Sequence, residues 1–253
     1  MRRAMPSERT GGGDPARTLA LLWRTGDKAP RRGPRPRRSI DEVVEAAIAF
    51  ADEAGLEALT IRALAARLQL SPMALYTYVA GKAELLDLML DALYLRMDRP
   101  AWPADEDWRS RLAAVAAANR ALYVAHPWAA RVSTARPPLG PGLMAKYEHE
   151  LAALDGAGLD DVDRDAALTF VLGFVQASAI AAQDAAAGGD DGAWWAQAGP
   201  LLERAMDAER YPLAVRVGAA AGAAQGAAFD PERAYAFGLE RVLDGLAALI
   251  ERG

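Results

Sequence analysis

The chain has no cysteine and only two histidines, His126 and His149, among its 253 residues. Without thiols there is no disulfide framework and no thiolate metal site, which is compatible with a reducing cytoplasm. Two isolated histidines cannot build a His-rich metal cluster, no Glu-x-x-His pair is present, and no thiol is available as a nucleophile. A carboxylate-based helical enzyme is the one catalytic class left open. No apolar run approaches the roughly 20 residues that span a bilayer. Leu19-Ala20-Leu21-Leu22-Trp23 is too short for a secretory core, and an arginine follows it. The chain is therefore expected to be cytoplasmic, to avoid membranes, to bind neither metal nor cofactor, and not to be an enzyme. β-Branched residues are sparse, while alanine is abundant and apolar residues recur at helical spacing, so the fold class expected is all-α.

The net charge of −5 hides an asymmetry. Residues 1–38 carry eleven Lys/Arg against three Asp/Glu, hence +8, and the rest of the chain carries −13. A basic arm on an acidic body suits a protein that meets a polyanion at one end only. Gly11-Gly12-Gly13, the prolines and the scattered arginines offer no apolar face, so residues 1–38 are expected to stay disordered.

From Ser39 the pattern turns helical. Ser39 and Glu42 have the spacing of a capping box, Val43, Val44, Ala47, Ile48 and Ala51 share one face, and Gly55 ends the run. Thr60 caps a second, short helix, Gln69 and Leu70 form a joint, and Ser71-Pro72 opens a third helix that stops by Gly81. Two short helices so tightly joined have the geometry that lays one helix in the major groove of DNA. A fourth helix runs from Lys82 to Met97, with Leu85, Leu86, Leu88, Met89, Ala92 and Leu93 on its buried side. Arg99-Pro100-Ala101-Trp102-Pro103 then breaks the pattern and separates a domain at 39–99 from a larger one at 100–253. In the latter, helices are expected near 105–125, 128–133, 143–156, 163–187, 193–208 and 231–251, with a proline-rich joint at 136–142 and a loop at 188–192.

Gly55, Leu59-Thr60, Arg62, Leu64-Ala65, Leu68-Gln69-Leu70, Leu75-Tyr76, Tyr78-Val79 and Lys82 with Leu85-Leu86 resemble the DNA-binding domain of the TetR family of bacterial transcriptional repressors. The likeness covers about residues 39–95. More loosely, His126-Pro127-Trp128, Arg136-Pro137-Pro138-Leu139-Gly140-Pro141 and Phe237-Gly238-Leu239 resemble the C-terminal domain of the tetracycline-repressor branch. The family often has a glycine in the interhelical turn where this chain has Gln69, a residue type that can take the left-handed conformation at modest strain.

The resemblance implies a helix-turn-helix three-helix domain joined to a helical ligand-binding and dimerisation domain. It implies a sequence-specific regulator, a repressor released from a palindromic operator by a small molecule. The alternative is a DNA-binding regulator or architectural protein with no effector. By the same resemblance Thr60 and Ser71 cap helices close to phosphates, and Arg62 reaches a base edge or a phosphate. Pro72, Met73 and Ala74 then face base edges, Tyr76 and Tyr78 contact phosphates or thymine methyls, and Lys82 binds phosphate. Tyr76 and Tyr78 lie off the Leu75–Val79 stripe, yet both could also be partly buried domain residues. The run Arg31–Arg38 either enters the minor groove or is a solvated tail that raises non-specific affinity.

Partners on this reading are a double-stranded operator, an unknown apolar effector and a second copy of the chain. Trp128, Tyr147, Phe170, Phe174, Gln176 and Ser178 are the candidate effector residues, mixing aromatic surface with a few polar anchors. Helices 163–187 and 231–251 carry apolar residues on more than one side, which either a four-helix dimer bundle or a monomer core would cover. In the tetracycline-binding relatives a histidine ahead of the Arg-Pro pair holds the drug-bound magnesium. Here that place falls on Val132, so that chelate is not the expected ligand. His126 reads as a helix-ending residue bonded to a terminal carbonyl.

Overall fold

The computed structural model describes residues 9–25 and 38–251, so the basic run at 31–37 lies outside the described residues. Among these residues the fold is all-α, with one isolated bridge between Arg9 and Ser133. Two compact units are present, Met1–Leu168 and Thr169–Gly253.

The first unit holds α1 (Pro15–Leu22), α2 (Ile40–Ala54), α3 (Ile61–Arg67), α4 (Pro72–Leu75), α5 (Lys82–Arg96), α6 (Trp108–Ala125), α7 (Pro127–Ala130) and α8 (Pro141–Ala152), and the start of α9 (Asp161–Ala187). The expected caps are formed. Ser39 and Glu42 complete a capping box on α2, and the hydroxyls of Thr60 and Ser71 accept from the amides of Ala63 and Ala74. Gly55 takes φ 80° at the end of α2.

The first departure from expectation is at the N-terminus. Residues 9–25 are not a solvated tail: α1 packs on α5, and Leu22 belongs to the hydrophobic core. The glycine run read as flexibility is a close approach instead. A Cβ on Gly11, whose φ is 65°, would stand 2.5 Å from the Arg136 Cβ, and one on Gly12 would stand 2.9 Å from the Ala83 Cβ.

The second departure is α5, which is buried on every side rather than along one stripe. Besides Leu85, Leu86, Leu90 and Leu93, it buries the carboxylates of Glu84, Asp87 and Asp91. Helices α1, α2 and α8 all pack against it. Burial at 84, 87 and 91 follows helical spacing, so the three acids share one face. Each meets a backbone N–H: Ala80 donates to Glu84 at 2.5 Å, Gly11 to Asp87 at 3.0 Å, and Leu143 to Asp91 at 2.9 Å. Gly142, at the start of α8, lies so close that a Cβ there would be 2.0 Å from the Asp91 carbonyl oxygen.

The second unit contains the rest of α9, with α10 (Asp191–Ala205), α11 (Pro212–Gln225) and α12 (Pro231–Ile250). Helix α11 was not foreseen, because its Ala- and Gly-rich sequence has no apolar stripe. Its first residue is a proline and Gly226 closes it in the left-handed conformation. Val171, Val175 and Ala179 of α9 and Leu243 and Leu246 of α12 are buried, and Phe174 stacks on Tyr235 with centroids 5.8 Å apart. Gly238 is needed there, since a Cβ would sit 2.5 Å from the Phe174 ring. Neither α10 nor α11 buries any residue, and Phe170 and Phe237 are exposed. The 27-residue α9 is long and apolar enough, by length and composition alone, to cross a bilayer, a test that the core helix of a soluble protein also passes. Its alanines keep it apolar through the polar interruptions at Gln176 and Ser178.

Burial raises the Asp87 carboxyl from 3.8 to about 6, Gly11 N–H pulls it back down, and the neighbouring Glu84 charge adds to the rise. Burial raises Asp91 as well, against N–H groups of Leu143 and Gly142. A carboxyl that holds its proton more tightly when folded stabilises the fold at low pH and loses that contribution as pH rises. For Asp87 the loss falls between about pH 4 and 6. Asp87→Asn is expected to remove this contribution, so its melting temperature should gain on the parent by a few degrees between pH 4.5 and 7.5. Thermal melts across that range check it, and a constant offset would contradict it.

Candidate nucleic-acid interface

Helices α3 and α4 are too short to hold themselves together, so tertiary burial must fix them. Leu64, Ala65, Leu75 and Val79 are fully buried beneath them. Between them, Gln69 sits at φ 56°, so the tight turn is made without glycine. Leu70 N donates to Ala65 O at 2.9 Å and closes the joint.

This scaffold turns a consistent set of side chains outward. Thr60, Arg62, Ser71, Pro72, Met73 and Tyr76 are exposed, Met73 by 74%. Ala74 is half-buried between them. The two arginines of α3 are not equivalent. Arg67 makes two 2.6 Å hydrogen bonds to Glu53 and lies over the Phe50 ring, so it ties α3 to α2. Arg62 is exposed.

Two further expected residues, Tyr78 and Lys82, are engaged within the protein. Tyr78 is half-buried against the core, and its hydroxyl accepts from Arg38 N at 3.4 Å. That bond brings the last residue of the basic arm to the end of the α4 segment. Lys82 is half-buried, and its ammonium donates to Leu56 O at 2.7 Å. The hydroxyl of Thr77, outside the sequence-derived set, is exposed beside Tyr76 and donates to Ala74 O at 2.6 Å.

The expected effector residues are divided between the two units. Trp128 is 4% exposed and belongs to the hydrophobic core, where its indole N–H donates to the Asp52 carboxylate at 2.7 Å. The same carboxylate oxygen bonds His126 Nδ1 at 2.8 Å, so His126 is held by a carboxylate and not by a helix-terminal carbonyl. Sequence could not show this, since Asp52 is more than seventy positions away. Tyr147 is exposed and donates to Asp165 at 2.6 Å. Phe170, Phe174, Gln176 and Ser178 lie on the α9 portion in the second unit.

A cavity of about 210 Å³ opens elsewhere in the first unit, among Met97, Trp102, Val115, Lys146, His149 and Glu150. The His149 ring stacks on Trp102 with centroids 4.5 Å apart, and burial lowers its pKa. Lys146 and Glu150 form a buried 2.6 Å ion pair, and Asn119 donates to Glu150 from the far side at 2.6 Å. Burial lowers the Lys146 pKa while Glu150 opposes the shift. Among the described residues no group of three or more His, Asp or Glu is arranged to hold a metal ion.

Known proteins share this arrangement. The family model for "Bacterial regulatory proteins, tetR family" matches residues 43–89, and that for "Tetracyclin repressor-like, C-terminal domain" matches residues 100–250. The chain is 41% identical to the HTH-type transcriptional repressor DrrR1 of Streptomyces coeruleorubidus, over 98% of this chain and 91% of that protein. It is 32% identical to the class A tetracycline repressor from transposon 1721 in Escherichia coli, over 81% and 88% respectively. Among solved structures, ActR of Streptomyces coelicolor in complex with actinorhodin is similar with a TM-score of 0.72 at 28% identity, covering 86% of this chain and 99% of that one.

Asp52 joins α2, which supports the reading helices, to the His126–Trp128 corner, so its loss strands a buried indole N–H. Asp52→Ala is expected to cost about 1–3 kcal/mol of stability. Combining it with Trp128→Phe, which has no N–H to satisfy, should cost less than the sum of the two single losses. Chemical denaturation of both variants checks this, and strictly additive losses would contradict the bond's role.

Proposed function

The chain belongs to the TetR family of DNA-binding transcriptional regulators, and on that premise we propose that it acts as a homodimeric repressor released by a small-molecule effector. The observation that carries the reading is the contrast within residues 60–78. Leu64, Ala65 and Leu75 are fully buried, while Arg62, Met73 and Tyr76 stand exposed. A rigid head of this kind loses little order on docking, so its contacts turn into affinity and discrimination.

In this reading α4 enters the major groove. Arg62 is the polar reader, because a guanidinium can bond a guanine edge in two places. Pro72, Met73 and Ala74 offer apolar surface to thymine methyls, and Tyr76 meets the backbone. Thr60 and Ser71 act mainly by starting the helices, since their hydroxyls accept from Ala63 and Ala74. Tyr78 positions the arm through Arg38, and Lys82 adds positive field while tied to Leu56. With few polar readers, DNA shape supplies much of the remaining specificity.

Dimerisation through α9 and α12 (163–187 and 231–251) is supported by the exposure of Phe170 and Phe237 and by the thin burial of the second unit. A two-fold pair of heads about 34–36 Å apart then matches half-sites one helical turn apart. The effector site we assign is the cavity beside Trp102 and the Lys146–Glu150 pair. ActR, which is solved with actinorhodin, supports a small-molecule effector. At about 210 Å³ the cavity is smaller than the roughly 300 Å³ of typical ligand sites, so occupation must widen it. Widening displaces Met97–Arg99 just past the end of α5, and α5 shares its hydrophobic core with the reading head. The effector thus favours the DNA-free state, and DNA must weaken the effector in return. Such a protein works where the chromosome is, in the cytoplasm.

Footprinting on the DNA upstream of its own gene should reveal two protected half-sites related by two-fold symmetry. Arg62→Ala should weaken that site by about tenfold to a hundredfold while leaving non-specific binding nearly unchanged. Equal binding to every duplex by a protein that stays monomeric would overturn the reading.

A further inference from the structure

The N-terminal segment contacts two places that the DNA-binding reading leaves unconnected. One is the joint between α7 and α8. Thr10 N donates to Ser133 O at 3.1 Å, the Thr10 hydroxyl donates to Arg136 O at 2.5 Å, and Trp23 Nε1 donates to Leu139 O at 2.8 Å. The other is the acidic face of α5. Gly11 N donates to Asp87, while Arg17 Nε at 3.2 Å and the Thr18 hydroxyl at 3.4 Å meet Oε1 of Glu84. The second oxygen of Glu84 accepts from Ala80 N at 2.5 Å, directly after the reading segment. One carboxylate therefore has the N-terminal segment on one oxygen and the end of the reading segment on the other.

The fit is built rather than incidental. Gly11 and Gly12 have no room for a side chain, and Glu84 and Asp87 are each only 1% exposed. Burying two neighbouring carboxylates is costly unless donors meet them, and the segment supplies Gly11 N–H, the Thr18 hydroxyl and Arg17. Without it both carboxylates would be open to water, and Glu84 would hold Ala80 in competition with solvent. Helix α4 has only four residues, so its order depends on such neighbouring contacts.

We propose that residues 9–23 are a positioning strap that links the 133–139 joint to the reading head through Glu84, so that loosening the joint end of the strap disorders the turn at Ala80 and weakens operator binding. A change in the joint is felt at the head because Thr10, Gly11, Arg17 and Thr18 lie on one short, packed segment. The link is reciprocal: DNA that orders the head tightens the strap. Only the operator part of this inference rests on the proposed function.

Thr10→Val in the full-length chain removes the hydroxyl bonds at the joint and touches neither the head nor any charge. Hydrogen exchange should quicken not only at residues 133–136 but also at Ala80. Operator affinity should fall about three- to tenfold with an unchanged salt slope. Operator DNA should slow exchange at Gly11 in the parent protein and do so less in the variant. Gly11→Val, which the close approach cannot accept, should produce the same changes in larger measure. Faster exchange confined to 133–136, with Ala80 unaltered in both variants, would overturn the strap. If the parent shows no specific operator, the proposed function fails while the Ala80 response still decides the strap.

Discussion

Three buried carboxylates on one face of α5 fix the arrangement of the first unit. Glu84, Asp87 and Asp91 cannot be left without donors, and their partners come from three separate segments. Glu84 holds the turn after α4, Asp87 and Glu84 together hold the N-terminal strap, and Asp91 holds the start of α8. That requirement explains why α5 lacks a single apolar face and why a glycine stands at 140, where a Cβ would come within 2.4 Å of the Asp91 carboxylate. It also makes α5 the helix through which the reading head, the strap and the cavity near Met97 are connected.

The buried side chains of the reading head share one hydrophobic core with α5. Thr60 and Ser71 cap α3 and α4, an effect typically worth about 1 kcal/mol each, and the buried leucines and Val79 complete the anchoring. What stays outside is a small apolar and cationic surface suited to a groove edge. The Asp52–His126–Trp128 contact joins the head's support to the α6–α7 corner.

Local chemistry made the head legible from sequence. Caps, the two-residue joint at Gln69-Leu70 and the apolar positions are short-range signals, and each appears in the structure where its residues called for it. What escaped notice depends on long-range pairing. Gly11-Gly12-Gly13 looks the same in a flexible linker and in a close-packed strap until Arg136 and Ala83 are placed beside it. The partner of the Trp128 indole, Asp52, is distant in sequence. The cavity draws on Met97, Trp102, Val115, Lys146 and His149, which no local spacing connects. Helix α11 was missed because alanine and glycine carry no periodic pattern, and most of its surface is uncovered.

The central claim is that two copies of a rigid head are held one turn of DNA apart. The absence of cysteine allows a spin label to be placed at Glu57→Cys alone, exposed between α2 and α3 and outside the proposed DNA contacts. Dipolar distance measurement on the operator complex should give one narrow population between protomers, as heads fixed one helical turn apart require. A missing dipolar signal, or a broad distribution that the operator leaves unchanged, would contradict the account.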